Sequence, residues 1–164
     1  MKKIKIYTSY FGNLKNISEG FIPVTICGKV PDGYNGLQYK KLAPKYDFFV
    51  EWKKNHDNDY YIKCFNEQVL KELDVQQVCD DLYNMAEEFV NSLPDDDMRK
   101  INQRIGFSYP IVLICYEKPE DFCHRQLVSN WFNENNISCE EYDNKKFDWK
   151  AKFFDWKEKI SKEK

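Results

Sequence analysis

The run Ile111-Val112-Leu113-Ile114-Cys115 constrains this chain more than any other stretch. It is short, rich in β-branched residues and free of polar side chains, so it reads as a strand buried on both faces. A turn at Glu117-Lys118-Pro119 follows, and then an amphipathic helix reaching Asn133. Pro119 suits the first helical position, which would place Cys123 in the second turn. This strand-turn-helix unit brings Cys115, Glu117, Cys123, His124 and Arg125 to the carboxyl end of one strand, where ligands bind in open α/β sheets.

The rest of the chain must supply neighbours for that strand. Lys3 to Thr8 alternates apolar and basic residues, a strand expected towards an edge or under incomplete cover. Thr8, Ser9 and Tyr10 then head a hydroxyl-rich loop to Asn13, able to hydrogen-bond a ligand or equally to form a capped turn. Phe21 to Cys27 is a second strand, followed by a long irregular connection from Gly28 to Lys41. A helix is expected from Pro44 to Asn55, and a short one near Gln68 to Leu73 after a polar link at Asn55 to Asp59. Asp74 caps a further helix whose stripe is Val75, Val78, Leu82, Met85, Phe89 and Leu93, closed by Pro94. A short helix over Met98 to Ile105 and a last strand at Ser138 to Tyr142 complete the pattern.

Strands alternating with helices predict an α/β fold: a three-layer, Rossmann-like, mainly parallel sheet in a single domain over residues 1–142. If the first and central strands are neighbours, the Thr8 loop and the Glu117 turn open at the same edge and form a pocket. Residues 143–164 are expected to form an aromatic amphipathic helix, with Phe147-Asp148-Trp149-Lys150 recurring as Phe154-Asp155-Trp156-Lys157. Trp149, Phe153, Trp156 and Ile160 share one face, which would pack on the domain or on a partner, a homodimer in the simplest case.

A formal charge of −2 with no basic face does not indicate nucleic acid. No apolar run is long enough to span a membrane, and a cytoplasmic protein is expected. The six cysteines, none in Cys-x-x-Cys spacing, are expected to be reduced thiols. Asp95-Asp96-Asp97 lacks the spacing and glycine of a calcium loop.

Near a helix start, backbone N–H groups favour an anion, a cysteine loses its proton more readily, and arginine grips phosphate or carboxylate. Cys123 is therefore a candidate nucleophile, His124 and Glu117 candidate proton carriers, and Arg125 an anion ligand. Each has a structural alternative: Cys123 shares a helical face with Leu127 and Trp131, and Arg125 can pair internally with a glutamate. A zinc site of Cys115, Cys123 and His124 lacks the usual paired spacing, so no metal is assigned; His56 is the one other histidine. Cys115 and Cys123 could equally pair as a disulfide. No particular cofactor is indicated.

The segment from Ile114 to Arg125, with Cys-x-Glu ending a strand and Cys-His-Arg opening a helix, resembles the signature of domain-of-unknown-function family 488. Ile6-Tyr7-Thr8-Ser9, Tyr39 to Pro44 and Tyr61 to Asp74 extend the resemblance over roughly Met1 to Tyr142. It implies a Rossmann-like sheet with a site at Cys115, Glu117, Cys123, His124 and Arg125, but no established activity. Many relatives carry Asp-x-Arg after the second strand. Here that region reads Thr25-Ile26-Cys27-Gly28-Lys29, and Lys29 would supply the positive charge. Three functions fit: an enzyme acting on a small anionic, nucleotide- or phosphate-like molecule; a sensor or sequestering protein using the same pocket; or a protein-interaction module with a structural Cys-His-Arg unit.

Overall fold

The computed structural model describes residues 4–18, 20–93 and 109–146. The expected Met98–Ile105 helix, the acidic turn before it and the aromatic repeat of the tail lie outside these residues. Five strands form one sheet: β1 (Ile4–Tyr10), β2 (Ile22–Thr25), β3 (Leu37–Gln38), β4 (Tyr109–Cys115) and β5 (Cys139–Glu141). Their order is β3-β2-β4-β1-β5 and every pairing is parallel. The α/β, Rossmann-like class read from the sequence is the class observed.

β4 lies at the centre, as its apolar run requires, with Ile111 to Ile114 inaccessible to solvent. β1 runs beside it from Ile4↔Tyr109 to Tyr10↔Cys115, so both strands end level. β1 is second from an edge, and the outer strand β5 covers it only over Ile6 to Thr8. The expected hydroxyl loop needs correction: Thr8, Ser9 and Tyr10 belong to β1 itself, and Thr8 and Ser9 are buried. The turn follows them as a 3₁₀ helix, Phe11–Asn16.

The four described α-helices are α1 (Tyr46–Asn55), α2 (Asn58–Gln68), α3 (Val75–Ser92) and α4 (His124–Glu134). Their buried side chains join Ile6, Ile22, Val24, Ile111 and Leu113 in one cluster. The alternate sheet residues, Tyr7, Val112 and Ile114, pack with Phe21 and Tyr142 under Phe11, Leu14 and Ile17. Strand alternation thus divides the core, with the sheet as the middle layer. No described helix is long and apolar enough to cross a membrane.

α3 forms where its cap and stripe were expected, but its buried face is rotated. Of the expected stripe only Val78 and Leu82 are fully buried, Val75, Met85 and Phe89 are partly buried, and Cys79, Ala86 and Val90 complete the buried face. Asp74 accepts a hydrogen bond from the Gln77 N–H at 2.9 Å. α2 corrects the reading of that region as a polar link and a short later helix. Asp57 caps it by accepting from the Tyr60 N–H at 3.1 Å, and Tyr61, Cys64 and Phe65 form its buried face. The Asn and Asp residues that read as a link are its cap and first turn. The expected helix near Leu73 is a single 3₁₀ turn, Leu70–Glu72.

Candidate functional site

β4 ends at Cys115 and α4 begins at His124, five positions after the expected proline start. The intervening chain turns on itself, with the Asp121 N–H bonded to the Lys118 carbonyl at 3.0 Å. The Gln126 side-chain amide ties this loop to the helix by donating to the carbonyls of Pro119 and Asp121, each at 3.1 Å. Cys123 is consequently the N-cap residue, extended at φ −149° and ψ 144°, and not a residue of the second turn. There the unpaired N–H groups and the helix dipole act most strongly on its sulfur.

Three chemically active side chains converge. The His124 Nδ1 lies 3.4 Å from the Cys115 Sγ and 4.0 Å from the Cys123 Sγ. Its Nε2 lies 2.7 Å from the carbonyl oxygen of Ile26. A carbonyl can only accept, so Nε2 carries a proton and Nδ1 is turned towards the sulfurs. Phe65 flanks the ring, with centroids 5.5 Å apart.

The two thiols are driven apart in acidity. The neighbouring Cys115 thiol first, then His124, pulls the Cys123 thiol down to about 4 against the cost of burial. The Arg125 backbone N–H adds to this without closing a cap hydrogen bond. Cys115 moves the opposite way, raised first by the neighbouring Cys123 and then by burial. The opposite directions of the two shifts favour the proton on Cys115 and the negative charge on Cys123.

These residues floor a cleft of about 560 Å³ at the carboxyl edge of the sheet. Tyr46, Phe49, Trp52, Tyr61 and Phe122 contribute aromatic surface to it, and Lys29, Lys53 and Glu117 border it. Lys29 and Lys53 are exposed, whereas Cys115, Cys123 and His124 are buried, which separates rim from floor. The Tyr116 hydroxyl donates to the Lys29 carbonyl and links the loops after β4 and β2.

Thr8, Ser9, Tyr10 and Arg125 are absent from the lining. Arg125, 0% exposed, directs Nε to the Glu141 Oε2 at 3.3 Å and Nη1 to the Glu117 carbonyl. Its Nη2 makes a charge contact with the Glu141 Oε1 at 3.2 Å, out of hydrogen-bond alignment. Thr8 donates to the same carboxylate at 2.7 Å, and the Tyr10 ring lies 5.7 Å from the guanidinium. Ser9 accepts from the Asn13 amide. The expected residues thus form two groups: Cys115, Glu117, Cys123 and His124 at the cleft, and Thr8, Tyr10 and Arg125 around Glu141.

Sequence reasoning missed Cys27, the Ile26 carbonyl and the aromatic wall of α1. One signal was available for the last. Tyr46, Phe49 and Trp52-Lys53 give α1 more aromatic surface than its single fully buried residue, Phe48, requires. Among the described residues, Cys115, Cys123 and His124 are the set able to hold a metal, with donor atoms within 4.8 Å of one another. Two sulfurs and an imidazole would suit a soft or borderline ion such as zinc, and not magnesium or calcium.

The family model described as the active DUF488-N3 subclade, DUF488-N3a, matches residues 22–136. The chain belongs to the DUF488 family. The matched span contains β2, all four described helices, β4 and the whole Cys115–Arg125 unit; β1 and Glu141 lie outside it. No curated protein and no solved structure matches the chain significantly.

Proposed function

We propose that this DUF488 protein is an enzyme that binds a small, planar, anionic molecule of nucleotide- or phosphate-like character and attacks it with the Cys123 sulfur. The observation that carries this reading is the placement of Cys123 as the N-cap of α4, against Cys115 and His124, on the floor of an aromatic-walled cleft. A thiolate at that position is a nucleophile at neutral pH. Aromatic faces favour a flat ring, and Lys29 and Lys53 supply positive charge at the rim. His124 serves as the proton carrier beside the sulfur, and Glu117 as an acid or base at the mouth. Arg125 acts as a positioning residue, holding the Glu117 carbonyl and the start of α4 in place. All six cysteines are free and buried, which suits work in the reducing cytoplasm.

Nucleoside monophosphates and inorganic phosphate are the first molecules to test. A ligand of this class should protect Cys123 from iodoacetamide and be converted by the protein, while Cys123→Ser binds it without conversion. Protection without any chemical change by either protein would identify a sequestering function instead. Absence of protection by every member of the series would overturn the anionic-ligand reading.

A further inference from the structure

We propose that Cys123 is also a site of oxidation by hydroperoxides, with Cys115 as the thiol that resolves it into a disulfide across the cleft floor. The inference rests on the reading of Cys123 as the reactive sulfur and adds a modification that switches the same site. Cys27, Cys115 and Cys123 form a buried cluster of their own with Phe11 and Val30, apart from the two larger cores. The Cys115 and Cys123 sulfurs lie within 4.8 Å of each other, and a disulfide requires about 2.05 Å. Both residues stand where an element ends: Cys115 is the last residue of β4, and Cys123 is an extended N-cap outside the helical ladder. The loop between them can take up the approach without breaking a strand or helix.

Cys27 is the competing thiol. Its sulfhydryl is engaged by the Lys29 carbonyl at 3.3 Å, and burial pushes its acidity away from the thiolate. Cys64, Cys79 and Cys139 belong to the main core and are not part of the cleft lining. Selectivity for the Cys115–Cys123 pair follows from this placement.

The chemistry balances with a hydroperoxide as the sole oxidant. The Cys123 thiolate attacks the terminal peroxide oxygen and breaks the O–O bond, giving sulfenic acid once the departing hydroxide of hydrogen peroxide, or alkoxide of an organic hydroperoxide, is protonated to water or the alcohol. The Cys115 sulfur then attacks the Cys123 sulfur, forming the S–S bond and expelling a water that takes the Cys115 proton. Two thiols are oxidised and one peroxide is reduced. The resulting disulfide removes the nucleophile, and a dithiol restores it.

The test treats the full chain with hydrogen peroxide and digests it with a glutamate-specific protease, which cuts at Glu117 and Glu120 between the two cysteines. The expected result is a linked Cys115–Cys123 peptide pair, about 2 Da lighter than the two reduced peptides, with loss of iodoacetamide labelling at Cys123 that dithiothreitol reverses. Cys115→Ser should instead accumulate a sulfenic acid trapped by dimedone, while Cys27→Ser should form the pair as the wild type does. The wild-type peptide map stands without any variant, so a poorly folding Cys115→Ser does not blunt the test. A link to Cys27, or peroxide-treated protein whose Cys123 still labels fully, would overturn the proposal. Strong labelling of Cys123 without a peroxide-induced pair would leave the nucleophile reading intact and remove the switch. Failure of Cys123 to label in the untreated protein would remove both.

Discussion

Glu141 holds Arg125 from the far strand of the sheet. The carboxylate receives the guanidinium Nε at 3.3 Å and the Thr8 hydroxyl at 2.7 Å, so β1, β5 and the first turn of α4 meet at one half-buried charge pair. Arg125 directly follows His124, and its anchorage fixes where the Cys123 sulfur and the imidazole lie relative to the strand ends.

Removing the carboxylate strands a buried guanidinium. Glu141→Ala should cost about 3 kcal/mol, at the lower end of the range for a broken buried pair, because the Glu141 side chain is 35% exposed. Replacing both partners, Arg125→Met with Glu141→Gln, should recover much of that loss. Urea denaturation curves measure both, and a Glu141→Ala loss of less than about 0.5 kcal/mol would mean that the pair does not hold the site.

The acidity of Cys123 predicts an unusual pH profile. Its thiol is held at about 4 by the Cys115 thiol first and then by His124, and Cys27, Tyr61, Tyr116 and Glu117 are further titratable groups at the cleft. A lowered thiol value means the thiolate persists as pH falls, so iodoacetamide labelling of Cys123 should stay nearly constant from about pH 8 to about pH 5. An ordinary thiol, with its value near about 8.5, would lose most of its rate over that interval. Cys115→Ala should move the decline to higher pH, because the largest stabilising contact is gone. A wild-type rate that climbs with a midpoint near that of a free thiol contradicts the thiolate pair.

Within α3, two members of one apolar stripe should differ sharply. Leu82 is fully buried, so Leu82→Ala should destabilise by about 2–5 kcal/mol through lost burial and the cavity left behind. Val75, at the partly buried first turn, should cost less than about 1 kcal/mol when replaced by alanine. Equal losses at the two positions would place the buried face of the helix elsewhere.

Tyr39, directly after β3, and Asp81 of α3 are joined through an O–H···O bond of 2.6 Å. Burial works against the Asp81 charge, but hydrogen bonds from Tyr39, Gln77 and Lys41 outweigh it and lower the carboxyl. A lowered carboxyl stabilises the fold above the unfolded value of about 3.9 and loses that contribution as pH falls through the folded value. Tyr39→Phe should therefore cost about 1 kcal/mol at neutral pH and flatten the acid limb of the stability curve. Acid denaturation that is identical in wild type and variant would remove Asp81 from that limb.

Much of the architecture was legible because it rests on local period. Five unbroken apolar positions ending in Cys115 dictated a central strand, and the 3.6-residue stripe after Asp74 dictated α3. The short link between strand and helix already brought Cys115, Glu117, Cys123 and His124 to one edge. α2 was less legible, since its buried face is only Tyr61, Cys64 and Phe65 and its capping residues resemble those of a loop.

What the sequence by itself determined was the α/β class, the central strand and the residue types gathered at its end, because these follow from patterns within one or two turns of chain. Tertiary structure decided what each residue faces. It made Cys123 an N-cap through the reach of Gln126 back to Pro119 and Asp121, aimed the His124 ring by the Ile26 carbonyl, and gave Arg125 to Glu141 across the sheet. It also brought α1 over the cleft as an aromatic wall. The Ile26, Glu141 and α1 contacts join residues distant in sequence, and the Gln126 bonds set a helix start. Neither is specified by periodicity, because a buried donor takes whichever acceptor the packed fold brings within reach.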